Sequence, residues 1–223
     1  MSVAIVIPAH NEAPRVGLVV RAARGYGAAE VVVVDDGSTD GTGAAASSAG
    51  ALAVRLPHRR GKGAAMAAGL RCTRGDTVVY LDADLTGLQP QHIAYLVQPV
   101  AAGSADMAVG RVQGQTDESA VRLSGQRAMD RAIPAGSPSL ASSGYGAENA
   151  LMYAARRGGA RVVVVPLPDV GHHRKLQKWG PFAGTVATLR THADLGRGGL
   201  PWWPFLLAGV VGAAAVGIME TAD

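Results

Sequence analysis

Three features of the sequence predict an α/β domain with a mostly parallel, doubly wound sheet and helices on both faces. Its apolar runs are short and continuous, they alternate with Ala-rich helical stretches, and the strongest of them end in polar clusters. Strands that are apolar on both sides belong in a sheet covered by helices, and such sheets bind ligands just beyond their strands' carboxyl ends.

The first strand is the β-branched run at residues 3–7, closed by Pro8. The second, residues 31–34, is four valines followed by Asp35-Asp36-Gly37-Ser38, and the third, residues 77–81, runs into Asp82-Ala83-Asp84. Shorter runs at 53–56, 106–110 and 161–165 complete the strand set. Helices are predicted over 12–24, 41–49, 62–72 and 91–102. Beyond Val112 the pattern loosens into a polar loop at 113–119, a helix over 121–132, and a Gly-, Ser- and Pro-rich loop over 135–146 near the site. No internal repeat or linker interrupts the chain, so residues 1–198 read as one domain, followed by a hydrophobic C-terminal segment at 199–223.

Composition narrows the function classes. With 48% hydrophobic and 17% charged residues, the 223-residue chain can bury a core and is no disordered protein. Aromatics are only 4% against 30 glycines, so small aliphatic side chains must build that core. A lone cysteine, Cys72, excludes a disulfide framework and an all-cysteine metal cluster, which fits a reducing compartment. The net charge of +4 suits anionic small molecules or anionic lipid, and no basic run interleaved with aromatics points to nucleic acid. The N-terminus has no basic region ahead of its apolar run, so it is no signal peptide and a cytoplasmic location is expected. Residues 200–219 contain no charge and match the length that crosses a bilayer. Trp202 and Trp203 suit a membrane interface, and Arg190 and Arg197 would lie on the cytoplasmic side. Association with the inner face of the cell membrane is the expectation. A helix packed on the domain's own surface or in a dimer interface is the alternative, favoured by Pro201, Pro204 and the high Ala and Gly content.

The chemistry gathers at the strand ends. Asp82 and Asp84, two positions apart after an apolar strand, can turn toward one point once the strand stops alternating. Magnesium or manganese takes oxygen ligands of this kind and keeps open positions for phosphate oxygens. A cation there would neutralise charge developing on a diphosphate leaving group. A polar loop that caps a helix is the plain alternative. Asp35 and Asp36 offer acceptors for a base N–H or a ribose hydroxyl, or cap the next helix. Arg59-Arg60-Gly61-Lys62-Gly63 then opens a helix with cations, flexible backbone and free N–H groups, which together suit a phosphate. It is no P-loop, because Gly63 stands where Ser or Thr should follow the lysine.

Taken together, Ile5-Val6-Ile7-Pro8-Ala9-His10-Asn11-Glu12, Val33-Val34-Asp35-Asp36-Gly37-Ser38-Thr39-Asp40, Gly61-Lys62-Gly63 and Leu81-Asp82-Ala83-Asp84 resemble the family 2 glycosyltransferases. The resemblance implies a GT-A type, Rossmann-like α/β fold, a nucleotide-diphosphate-sugar donor (UDP or GDP) and Mg2+ or Mn2+. It implies nucleoside contacts from Pro8, Ala9, Glu12, Asp35 and Asp36, with Asp82 and Ala83 also on the nucleotide-sugar, and Lys62 facing the diphosphate. Asp84 would bind the metal directly, with Asp82 assisting. More loosely, Ser124-Gly125-Gln126-Arg127-Ala128 and Gly144-Tyr145-Gly146-Ala147-Glu148 resemble segments of polyprenyl-phosphate sugar transferases and glucosyl-3-phosphoglycerate synthases. There Arg127 and Tyr145 would lie at a phosphorylated or lipid-linked acceptor, and Glu148 would be the candidate base. His172 or His173 would complete the metal site.

Two departures qualify the match. Thr86-Gly87 follows the Asp-x-Asp-Leu motif where dolichyl-phosphate mannose synthase-like enzymes carry Gln, and the usual acidic pair of inverting relatives is not evident. The function expected is hexose transfer from the nucleotide sugar to the acceptor. The alternative is a catalytically silent, membrane-associated nucleotide-binding or scaffold protein. A nucleotidyltransferase would need a Gly-rich, Arg-bearing loop after the first strand, which residues 8–12 do not supply.

Overall fold

The computed structural model describes residues 1–115 and 123–172. These form an α/β domain around a seven-stranded sheet. In chain order the elements are β1 (Val3–Ala9), α1 (Ala13–Tyr26), β2 (Glu30–Asp35), α2 (Thr42–Ser48), β3 (Leu52–Arg55), α3 (Lys62–Arg71), β4 (Thr77–Tyr80) and β5 (Leu85–Thr86). They continue with α4 (Pro90–Ala101), β6 (Met107–Arg111), β7 (Arg127–Asp130), α5 (Ala132–Ala135), α6 (Ala147–Arg157), β8 (Val162–Pro166) and β9 (Gly171–His172). Single 3-10 turns at Leu140–Ser142 and Gly144–Gly146 lead into α6.

The sheet order is β3-β2-β1-β4-β7-β6-β8, parallel except where β7 runs against both of its neighbours. The predicted mostly parallel sheet is thus observed, and each of the six predicted strands has a counterpart within one or two residues. Every side chain of β1 is buried, as a strand covered on both faces requires. Val3, Ile5, Ile7 and Ala9 pack with α1 and α4, while Val6 packs with Met66 of α3 and Leu151 of α6.

The first strand does not stop at Pro8. It continues to Ala9, with Pro8 opposite Val34. The Val6 carbonyl accepts from the Leu81 N–H, so Pro8, two residues on, faces the same edge, beyond the last residue of β4. Its missing N–H therefore leaves no ladder bond unmade. Because β2 and β4 flank β1 on opposite sides, the chain reverses its winding direction here, and in such sheets that switch point beyond the carboxyl ends of the strands is where ligands bind.

One predicted element is wrong. The helix over 121–132 is instead an irregular stretch followed by strand β7, with its first two residues outside those described. Ala, Arg and Met favour helix locally, but Ala128 lies between Val79 and Ala108 with no solvent exposure. Filling the gap between β4 and β6 outweighs that intrinsic preference. The loop predicted over 135–146 contains the two 3-10 turns and does lie against the start of α3. A Cβ on Gly61 would sit 3.3 Å from the Gly144 Cα.

No described helix is long and apolar enough to cross a membrane. The boundary at 198/199, the hydrophobic segment at 199–223 and His173 all lie outside the described residues.

Candidate active site

Beyond the carboxyl ends of β1 and β4, polar groups from several segments gather. The turn after β2 is the most tightly built. Asp35 Oδ1 accepts the Ser38 N–H at 2.8 Å and its Oδ2 faces Arg55 at 3.5 Å. Asp36 accepts the backbone N–H groups of Arg60 (2.6 Å) and Gly61 (2.8 Å). The two carboxylates expected at the nucleoside are therefore fully buried at Asp35 and nearly so at Asp36, and Asp36 staples the 59–61 loop that starts α3. Gly37, next in this turn, is required twice over. Its φ is +68°, and a Cβ would lie 2.7 Å from the Arg59 nitrogen. Asn11 (φ +55°) ties the end of β1 to this turn, its Oδ1 accepting the Thr39 N–H at 3.0 Å. Pro8, Ala9 and Glu12 lie buried at this corner, with the Glu12 N–H donating to Thr42 Oγ1 at 2.8 Å and its carboxylate 3.3 Å from Arg15.

Asp82, Ala83 and Asp84 follow β4, and Ala83 is buried. The short antiparallel pair β5–β9, with Leu85 opposite His172, brings His172 back across the loop to them. His172 Nδ1 is 3.4 Å from Asp84 Oδ1, and its Nε2 is 3.9 Å from Asp82 Oδ2. One ligand atom from each of the three residues falls within 4.8 Å of the others. Two carboxylates and an imidazole, converging and partly exposed, fit a divalent cation that must leave positions for phosphate oxygens. Of the two histidines left open by the sequence, His172 is the one seen here.

Lys62, the first residue of α3, does something the motif did not suggest. Its ammonium lies 2.5 Å from Asp82 Oδ1 and 2.5 Å from Glu148 Oε1, joining a strand end to the first turn of α6. Burial alone would lower the Lys62 ammonium, yet the charges of Asp82 and Glu148 raise it above its ordinary value. Burial alone would raise the Asp82 carboxyl. The charges of Lys62 and His172 and the hydrogen bonds from Lys62 and Gln126 outweigh it and hold that carboxyl well below the usual range. His172 is pushed down by burial but raised on balance by its contact with Asp84 and the charges of Asp82 and Asp84.

Arg127 is wholly buried. The acceptor role expected for it requires an accessible guanidinium, but the side chain has no solvent exposure. As part of β7 it lies beneath the site, its Nε donating to the Ser124 carbonyl at 2.8 Å. Burial lowers it to about 10, partly offset by the charges of Glu148 and Asp82, so it stays protonated near neutrality. It thus acts on the site as a buried positive charge. Tyr145 lies in the turn Gly144–Gly146 that precedes Glu148.

The sequence reading missed Gln126, whose Nε2 donates to Asp82 Oδ2 at 2.9 Å, and Ser124, which contacts the Gln126 side chain. It also missed the β5–β9 pair, since two-residue strands carry no periodicity.

Residues 4–153 match the sequence family described as glycosyl transferase family 2. The chain belongs to this family. Among curated proteins it is similar to a glucosyl-3-phosphoglycerate synthase of Mycolicibacterium paratuberculosis, 35% identical over 112 residues, which are 46% of this chain and 34% of that protein. It is also similar to an undecaprenyl-phosphate 4-deoxy-4-formamido-L-arabinose transferase of Pseudomonas paraeruginosa, 37% identical over 142 residues, 59% of this chain and 41% of that one. The family 2 chain thus spans less than half the length of these curated relatives. Among solved structures, the Mycobacterium tuberculosis glucosyl-3-phosphoglycerate synthase in complex with Mn2+, UDP and glucosyl-3-phosphoglycerate superimposes with a TM-score of 0.69 and 26% identity. That match covers 90% of this chain and 81% of that one. The same enzyme in complex with Mg2+ and UDP matches with a TM-score of 0.69 and 27% identity, over 90% and 80%.

Proposed function

We propose that this chain is a divalent-cation-dependent glycosyltransferase of GT-A type. It moves a hexose from a UDP- or GDP-sugar to a phosphorylated or lipid-linked acceptor. The observation that carries this reading is the convergence of Asp82, Asp84 and His172 beside the Lys62–Glu148 pair, beyond the carboxyl end of β4. The complexes of the similar synthase with Mn2+ or Mg2+ and UDP favour UDP and a small phosphorylated acceptor. Similarity to the undecaprenyl-phosphate transferase keeps a lipid-linked acceptor in view.

Asp82, Asp84 and His172 would hold the cation in this reading, where it would supply positive charge against the negative charge that builds on the departing diphosphate. The bond from the anomeric carbon to the diphosphate oxygen breaks, the diphosphate leaves with the electron pair, and an acceptor oxygen forms the new bond. A phosphate oxygen brings no proton to this step. A hydroxyl does, and Glu148 is the candidate carboxylate to receive it. Lys62 keeps the Asp82 and Glu148 carboxylates oriented before the donor arrives. Pro8, Ala9, Glu12, Asp35 and Asp36 shape the nucleoside end, with Asp35 and Asp36 acting through the backbone they hold. Residues 1–198 form the catalytic domain, working in the cytoplasm, and 199–223 hold it at the inner face of the membrane.

The test incubates the purified chain with UDP-glucose or GDP-mannose, Mn2+, and either phosphoglyceric acid or a polyprenyl phosphate. Cation-dependent sugar transfer that EDTA stops is expected. Nucleotide binding without transfer to any acceptor would favour the silent binding protein, and no thermal response to UDP or GDP with Mn2+ would refute the reading.

A further inference from the structure

Beneath the site, residues 124–127 form a buried polar cluster, with Ser124 1% exposed and Gln126 and Arg127 wholly buried. Such groups sit in a core only when their hydrogen bonds are made, and the bonds here lead to one carboxylate. Gln126 Nε2 donates to Asp82 Oδ2 at 2.9 Å. Ser124 Oγ lies 2.9 Å from Gln126 Oε1 and 2.5 Å from the Gly110 carbonyl, so its single hydrogen serves one or the other. The amide orientation follows from charge. Asp82 is ionised beside Lys62, and only the NH2 end of Gln126 can face a carboxylate, which leaves Oε1 toward Ser124.

Backbone closes the third side. A Cβ on Gly125 would overlap both carboxylate oxygens and lie 2.6 Å from the Asp82 Cγ. Asp82 is thus held from one flank by Lys62 and from the other by Gln126, with Gly125 against the face of its carboxylate. Each oxygen accepts one of these donors and keeps a second lone-pair direction.

We infer that Gln126, held by Ser124, is a positioning residue that fixes the rotation of the Asp82 carboxylate toward the cation site. This rests on the proposed cation-dependent function. A donor behind a ligating carboxylate lowers the freedom the ligand must lose when the cation binds, and loss of such partners typically weakens metal affinity about 10- to 100-fold.

The test measures Mn2+ affinity of the full chain, from the paramagnetic resonance of free Mn2+, with and without UDP. Gln126→Met keeps the side-chain length without the donor, and Ser124→Ala removes only the hydroxyl that holds the amide. Mn2+ affinity is expected to fall about tenfold in Gln126→Met and less in Ser124→Ala. In an Asp82→Asn background the Gln126→Met effect should disappear, because a residue acting through Asp82 has nothing left to act on. Unchanged Mn2+ affinity in both single variants, or an equal Gln126→Met loss in the Asp82→Asn background, would overturn the inference. If the unaltered chain binds no Mn2+, the proposed function itself fails. If it binds Mn2+ and the variants bind as well, only the role of Gln126 fails. Should Gln126→Met not fold, Ser124→Ala and its cycle with Asp82→Asn decide the matter.

Discussion

Replacing Lys62 by methionine tests how the site is held together before any ligand arrives. The ammonium is the shared partner of Asp82 and Glu148, whose side chains are 18% and 6% exposed. With both bonds at 2.5 Å, the two carboxylate oxygens lie within about 5 Å of each other. Without the cation, two like charges at that separation repel by roughly 3 kcal/mol at an effective dielectric of about 20. Removing one member of a buried ion pair costs about 3–5 kcal/mol in general, which brackets that figure. Urea denaturation in EDTA should therefore show Lys62→Met less stable by about 3–4 kcal/mol, with the melting temperature lower by roughly 10 °C. Adding Asp82→Asn and Glu148→Gln to the same chain should recover most of the loss, because the neutral groups no longer repel. Mn2+ should restabilise Lys62→Met more than the unaltered chain, since it returns positive charge to the cluster. A loss below about 1 kcal/mol, or a triple variant no more stable than the single one, would refute this account of Lys62.

Other consequences are as direct. Asp84→Ala should abolish cation-dependent transfer while changing unfolding free energy by less than about 1 kcal/mol, because a partly exposed strand-end carboxylate packs little. Wild-type activity in that variant would remove Asp84 from the ligand set. Gly63→Ala places a Cβ against the Leu140 carbonyl and 2.5 Å from Ser143 Oγ, so it should destabilise the domain by about 1–3 kcal/mol and displace the turn before Glu148. An unchanged urea midpoint would show that this turn is not packed on α3 as described. Asp106 is held down to about 2 by side-chain and backbone hydrogen bonds with Arg161. Its folded value is depressed, so its contribution is present above the unfolded value near 4 and is lost as pH falls toward 2. An NMR titration of the Asp106 carboxyl should show this midpoint, and Arg161→Gln should return it to the usual carboxylate range.

The fold was legible where side-chain pattern and burial agree. Residues 3–7, 31–34 and 77–81 are apolar on both faces because helices cover both faces, and continuous valine and isoleucine runs record that directly. Strand β7 was not legible, because Arg127-Ala128-Met129-Asp130 carries helix-forming residues and its extended state comes from pairing with β4 and β6, both distant in sequence. The site divides in the same way. Asp82 and Asp84 announce themselves by standing at the end of an apolar strand. That His172 reaches them depends on a two-residue pairing with Leu85 and Thr86, which leaves no trace in the pattern. The burial of Arg127 was not legible either, since sequence spacing does not tell a side chain aimed at solvent from one aimed beneath a sheet. Lys62 was expected to face a diphosphate, and the 86 positions separating it from Glu148 hid their contact.

The most direct measurement is anomalous diffraction at the manganese edge from crystals soaked with Mn2+ and UDP. One peak is expected within coordination distance of Asp82, Asp84 and His172, with the UDP diphosphate beside it. A nucleotide-bound crystal with no anomalous density among these three residues would contradict it.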